Sequence, residues 1–253
     1  APVSAPAPAA AGNRKKGKKE RRREKERAQP GYKPPEQPQK KERPQRPGRG
    51  ETVGQPNPAL LTANMKKAYT LKELFTTVSK YESQLNHIHL SAAWNSLGRL
   101  VGTRAVERNW FTTHAAALET LVQLSIETVS DFQKSTQIRA RELTNIAHGV
   151  AKSGGGGNKS GELMKGLARA IVRRLGDCNS QELANAAWAF SKADYLDEQL
   201  FEHLAEAVRR HMESDDFAFN SQELTNIAWS MATASHHDAP LFGAIARAVE
   251  RRL

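Results

Sequence analysis

The chain has 253 residues, 38 Lys and Arg against 27 Asp and Glu, a formal net charge of +11 and a single cysteine. Cys178 alone excludes an internal disulfide framework and a Cys-rich zinc site, and no run approaches the roughly 18 apolar residues of a membrane span. Residues 1–50 hold 16 basic and 5 acidic side chains, so the whole net charge lies there and the remainder sums to zero.

The first 60 residues read as a disordered, basic, Pro-rich extension, because eleven of the twelve prolines lie at or before Pro58 and apolar side chains are almost absent. The chain begins at Ala1 rather than Met, which reads as a processed N-terminus with residues 1–12 as a linker remnant. The candidate phosphate contacts are Arg14, Lys15, Lys16, Lys18, Lys19, Arg21, Arg22, Arg23, Lys25 and Arg27, then Lys40, Lys41, Arg43 and Arg46. Such a cluster releases counterions when it meets RNA, and that is the expected role. A solubilising tail or a nuclear-import signal is the alternative. Glu20–Glu24 and Arg23–Arg27 lie four apart, so residues 18–27 suit a helix formed on a partner. Pro35-x-x-Pro38 and Pro44-x-x-Pro47 match polyproline II ligands, a cheap match in so Pro-rich a segment.

Residues 61–253 read as a helical-repeat domain. Residues 141–150 (RELTNIAHGV), 181–190 (QELANAAWAF) and 222–231 (QELTNIAWSM) align without gaps, with a fainter copy at 89–97 (HLSAAWNSL) that aligns Trp94 with His148, Trp188 and Trp229. A second segment follows each of the three clear copies: 163–175, 200–212 and 241–253. Both carry the helical period, as in Leu183, Ala186, Ala187 and Phe190 or Leu200, Leu204 and Val208. Asn179 and Asn220 stand three before Glu182 and Glu223, a capping-box spacing; Asp197 and Asp238 suit N-caps of the second helices, and Pro240 suits a first turn. The expectation is an all-α fold, an α-solenoid of about four helix hairpins, with seven or eight helices from about Leu71 onward. Stacked hairpins share a core that one hairpin cannot build.

The tandem pattern ELxNxAWxxxxA followed by LFxxxAxAVxRR resembles the octotricopeptide and heptatricopeptide-type repeats of organellar RNA-binding proteins, and the related arrays of RAP-domain and FAST-kinase-like proteins. The resemblance covers residues 86–253 and is clearest in the last three units. It implies an RNA-binding structural component of an organellar ribonucleoprotein, foremost an rRNA-binding protein of the mitochondrial ribosome, with other proteins of the assembly as partners. A free transcript-binding factor and a protein–protein scaffold are the alternatives, and the plastid is the alternative location.

The tryptophans are expected to pack between repeats, with base stacking as the alternative. Asn145, Asn185 and Asn226 are expected to bond inter-repeat loops, with RNA reading as the alternative. Arg173, Arg210 and Arg251 recur at one place in the second helices and are candidate RNA contacts; a C-terminal position favoured by the helix dipole explains them equally. Residues 51–175 hold 16 basic and 9 acidic side chains and residues 176–253 hold 6 and 13, so the first stretch should face nucleic acid and the second protein. His87, His89, His236 and His237 lack companions at metal-ligand spacing and are expected to face solvent. Gly154–Gly157 follows no strand and reads as a loop rather than a nucleotide-binding fingerprint. No catalytic residue, cofactor or metal, and no membrane contact, is expected.

Overall fold

Polar side chains that accept from the third backbone N–H set most helix starts, and the stripes between them decide which face is buried. The computed structural model describes residues 57–114, 116–154, 159–214 and 219–251, within a unit running from Gln55 to Leu253. Its α-helices are α1 (Pro58–Lys67), α2 (Leu71–Lys80), α3 (His87–Thr103), α4 (Ala105–Thr113), α5 (Ala116–Ser130), α6 (Phe132–Gln137), α7 (Ala140–Ser153), α8 (Ser160–Val172), α9 (Ser180–Lys192), α10 (Glu198–Glu213), α11 (Ser221–Thr233) and α12 (Ala239–Glu250). No strand occurs among the described residues. The fold is all-α.

The capping boxes form as the spacing requires. The Asn179 side chain accepts from Glu182 N at 2.9 Å and Glu182 Oε2 accepts from Asn179 N at 3.0 Å; Asn220 and Glu223 repeat this at 2.9 and 2.8 Å. Asp197 and Asp238 cap α10 and α12 through the amides of Leu200 and Leu241. Pro240 sits in the first turn of α12, where its missing N–H leaves no bond unmade. The first helices of three hairpins are followed by a residue in the left-handed region: Gly154 at φ 88°, Asp194 at 56° and Ser235 at 52°. That conformation turns the chain into the second helix.

Five hairpins, rather than four, make up the described unit. The first helices α1, α3, α7, α9 and α11 pack in chain order, and the second helices α2, α5, α8, α10 and α12 pack in a parallel row. Among the described residues, eleven α-helices rather than seven or eight begin at or after Leu71. The difference is the stretch between Gly98 and Arg139, which folds into α4, α5 and α6. Glu107 on α4 is buried and accepts from Leu71 N at 2.7 Å, so this extra helix caps α2 from 36 residues away.

The seam between α3 and α7 is the tightest. A Cβ added at Gly149 would lie 2.5 Å from Trp94 O and 2.7 Å from Trp94 Cβ, so the two helices approach backbone to backbone. Trp94 is fully buried there, and its Nε1 donates to Ser125 Oγ on α5 at 2.9 Å, fixing the second row against the first. Further along, Ser191 Oγ donates to Ser230 O at 3.0 Å across the α9–α11 seam.

Candidate nucleic-acid interface

Helix caps give the register of the first row. Counted from Asn86, Arg139, Asn179 and Asn220, the ninth residue is Asn95, His148, Trp188 and Trp229. Trp94 therefore falls one residue before the position of Trp188, and the alignment expected from sequence is shifted by one. The shift turns Trp94 into the core. Trp188 is half-buried, its ring 4.9 Å from that of His148, and Trp229 is 45% exposed. The expectation of uniform inter-repeat packing thus holds fully only for Trp94. Burial leaves Trp229 uncovered because no described helix follows α11 in the row.

The second, sixth, ninth and thirteenth residues after each cap share one helix face, since they recur at intervals of four, three and four. On α7 these are Arg141, Asn145, His148 and Lys152; on α9, Gln181, Asn185, Trp188 and Lys192; on α11, Gln222, Asn226, Trp229 and Thr233. All are exposed or half-buried, and none is a carboxylate. The side-chain amides of Asn145, Asn185 and Asn226 make no hydrogen bond among the described residues, so the expected loop bonds are absent. Arg141, Lys152 and Lys192 form no ion pair among the described residues. The face is a row of open amides flanked by cations and lined by His148 and Trp188. Burial, then the nearby Lys152 ammonium, pushes the His148 imidazolium down from the usual 6.5, so this ring is neutral near pH 7.

The second row has a different character. Arg173 ends α8 and donates to Ser135 Oγ at 3.2 Å; Arg210 lies within α10, 3.9 Å from Glu206; Arg251 ends α12. The three recur in sequence but have unlike surroundings, and Glu198, Glu202 and Glu206 are exposed on the same row. Several other cations of the basic stretch hold the fold together. Arg99 donates to Ala68 O at 2.8 Å, and Arg104 donates to Tyr69 O at 2.7 Å with its guanidinium 3.6 Å from the Tyr69 ring centroid. Arg174 donates to Thr136 O and pairs with Asp177. The charge count therefore overstates how much of this stretch is available to a polyanion. The extension's cations, from Arg14 to Arg46, lie outside the described residues.

The histidines depart from expectation too. His89 is buried at 2% exposure and replaces the Glu of a capping box: Asn86 N donates to Nδ1 at 3.1 Å, and Nε2 lies 3.1 Å from Pro58 O, tying α3 to α1. His87 and His236 are half-buried, and of these four only His237 is exposed. Among the described residues no three His, Cys, Asp or Glu side chains gather as metal ligands. Burial, then Glu182 and Asp177, pushes the Cys178 thiol up to about 12, which makes it a poor nucleophile. No helix among the described residues is long and apolar enough to cross a membrane.

Sequence alone carried the Asn and His/Trp positions on three helices. It missed the cations flanking them, which fall outside the shared motif but are brought onto the same face by helical geometry. No protein-family model matches the chain, and no curated protein matches it.

Proposed function

We propose that this protein binds RNA as a structural component of a ribonucleoprotein, with the outer face of its first-helix row against the nucleic acid. The observation that carries the reading is the aligned row Asn145, Asn185 and Asn226, amides with no hydrogen-bond partner among the described residues, beside Arg141, Lys152 and Lys192. Unpaired bases present donors and acceptors that such amides match, rings such as Trp188 offer stacking surface, and flanking cations meet phosphates. The basic N-terminal extension supplies the larger, sequence-independent part of the attraction. Arg173, Arg210 and Arg251 are secondary contacts. The repeat resemblance supports an organellar setting, with mitochondrial rRNA as the first RNA class and the plastid as the alternative location.

The test is affinity for single-stranded RNA against salt, for the full chain, a form lacking residues 1–50, and a Lys152→Ala/Lys192→Ala/Arg141→Ala variant. Removing the extension should weaken binding steeply and flatten the log–log slope by about 0.7–0.9 per lost phosphate contact. Asn145→Ala, Asn185→Ala and Asn226→Ala together should leave the slope alone and reduce discrimination between RNA sequences. A chain without its extension that keeps the parent's affinity and slope would refute the role given to the extension. Triple variants indistinguishable from the parent would refute the face. Co-sedimentation with mitochondrial ribosomal subunits tests the ribosomal assignment separately.

A further inference from the structure

The turn between α1 and α2 and the junction of α3 with α4 bring five cations and one bare ring to a single corner of the helix row. Neither α1 nor α3 holds a carboxylate. Lys66 and Lys67 end α1 and are exposed. Arg99 on α3 donates from Nη2 to Ala68 O at 2.8 Å, Arg104 donates to Tyr69 O at 2.7 Å, and Arg108 on α4 donates to Val101 O at 3.0 Å. Each bond takes one nitrogen of a guanidinium, so the fold fixes the three groups and leaves their other N–H donors open. The Tyr69 ring is 65% exposed, with the Arg104 guanidinium 3.6 Å from its centroid. Two carboxylates are near, and backbone amides occupy both: Glu73 accepts from Tyr69 N at 2.9 Å, and the buried Glu107 from Leu71 N. None of the five cations forms an ion pair among the described residues.

We propose that this corner is a second contact for single-stranded RNA, in which the cations hold backbone phosphates and Tyr69 stacks one unpaired base. The proposal rests on the RNA reading above and extends its path. Arg99 is the thirteenth residue after the cap of α3, the position of Lys152 on α7 and Lys192 on α9. A Cβ on Gly102 would lie 3.1 Å from Lys152 Cε, so the Lys152 side chain lies against the end of α3 that also carries Arg99. The amide row and the corner therefore share one basic rim. Gathered like charges repel one another and weaken the compact state, and a polyanion relieves that repulsion. The chain's own extension cannot supply it, with 16 basic against 5 acidic side chains in residues 1–50. An acidic protein segment would neutralise the cations equally, but it has no use for a bare ring held by a guanidinium. The flat face of a base does.

Titration of the full chain with oligouridylate and with inorganic polyphosphate, over a range of salt, tests this. Tyr69→Ala should weaken oligouridylate binding about tenfold and leave polyphosphate binding unchanged, and Tyr69→Phe should match the parent with both. Lys66→Gln/Lys67→Gln should flatten the log–log slope for oligouridylate by about 1.4. That variant should also keep the parent's melting temperature, because both side chains are exposed and make no bond among the described residues. A lysine variant with the parent's slope overturns the proposal, and so does a Tyr69→Ala chain that weakens both probes alike or neither. Oligoglutamate that competes as well as oligouridylate overturns it in favour of an acidic protein. If the corner variants behave as the parent while the Asn145, Asn185 and Asn226 triple variant loses discrimination, this site falls alone. A parent that binds neither probe overturns the RNA reading with it.

Discussion

At one end of the helix row, α1 and α2 turn Leu61, Met65, Leu71, Leu74, Phe75 and Val78 inward and show water mostly Asn, Lys, Glu and Thr, with Leu60 on α1 and Tyr69 between the helices the large apolar side chains exposed. At the other end, α11 and α12 present Trp229 and Val249 to water. Repeat arrays need polar outer faces on their terminal units to stay soluble as monomers. Among the described hairpins, α1–α2 has such a face and α11–α12 does not. It follows that the same apolar pattern is buried where a described hairpin follows it and exposed where none does.

The sharpest contrast is between two tryptophans. Trp94→Ala removes a fully buried ring and the donor to Ser125 Oγ, which keeps only its bond to Leu121 O, and should cost about 3–5 kcal/mol. Trp229→Ala should cost less than about 1 kcal/mol in the monomer. Urea melts of both variants at a fixed low concentration check this; equal losses would mean that the end of the row is packed as tightly as its middle. The α3–α7 seam offers a second contrast. Gly149→Ala forces a methyl against the Trp94 backbone and should cost about 1–3 kcal/mol, whereas Gly161→Ala, with nothing within 4 Å, should be neutral or slightly stabilising. The same melts read both.

A smaller effect of opposite sign is expected at α7. Its cap position holds Arg139, which makes no side-chain cap, and the buried Glu142 has an Oε2 without a hydrogen bond, 3.7 Å from Arg139 Nε. α9 and α11 place Asn at that position, with its Glu partner at the position of Glu142. Arg139→Asn should complete the box and raise stability by about 1 kcal/mol. A loss in the thermal melt would show that the Arg139–Glu142 pair contributes more than a cap. The least effect is the titration of His148. Its folded value is depressed by burial, so the unfolded chain takes up the proton first, and stability should fall as pH drops below about 6.5. His148→Gln should flatten that part of the melting-temperature profile.

How much of this was legible depends on which physical signal each residue gives. Asn179, Glu182, Asn220, Glu223, Asp197 and Asp238 act locally, within three residues, so spacing alone located their helices. The fainter copy at 89–97 was misread by one residue because His89 stands where a Glu completes the later boxes, which hides the cap at Asn86 and leaves Trp94 as the visible landmark. The α1–α2 hairpin lacks the motif altogether, and α1 turns only Leu61 and Met65 into the core. Asp194 and Ser235 carried no signal, because nothing but backbone conformation marks a left-handed cap that is not glycine. In the candidate interface, the Asn positions were visible as motif and their lack of partners was not, since absence of a hydrogen bond is a property of the whole fold.

Cys178 gives the molecule a built-in clock. It lies in the turn between α8 and α9, nearly sealed, with its carbonyl 2.7 Å from His211 Nε2 on α10, so three helices must part before its sulfur can ionise near neutral pH. A thiol reagent therefore counts breathing events at one place in the row, without any engineered label, since no other cysteine competes. If the row opens all at once, the labelling rate tracks global unfolding as urea rises. If it opens from the α11–α12 side, the rate stays high at low urea.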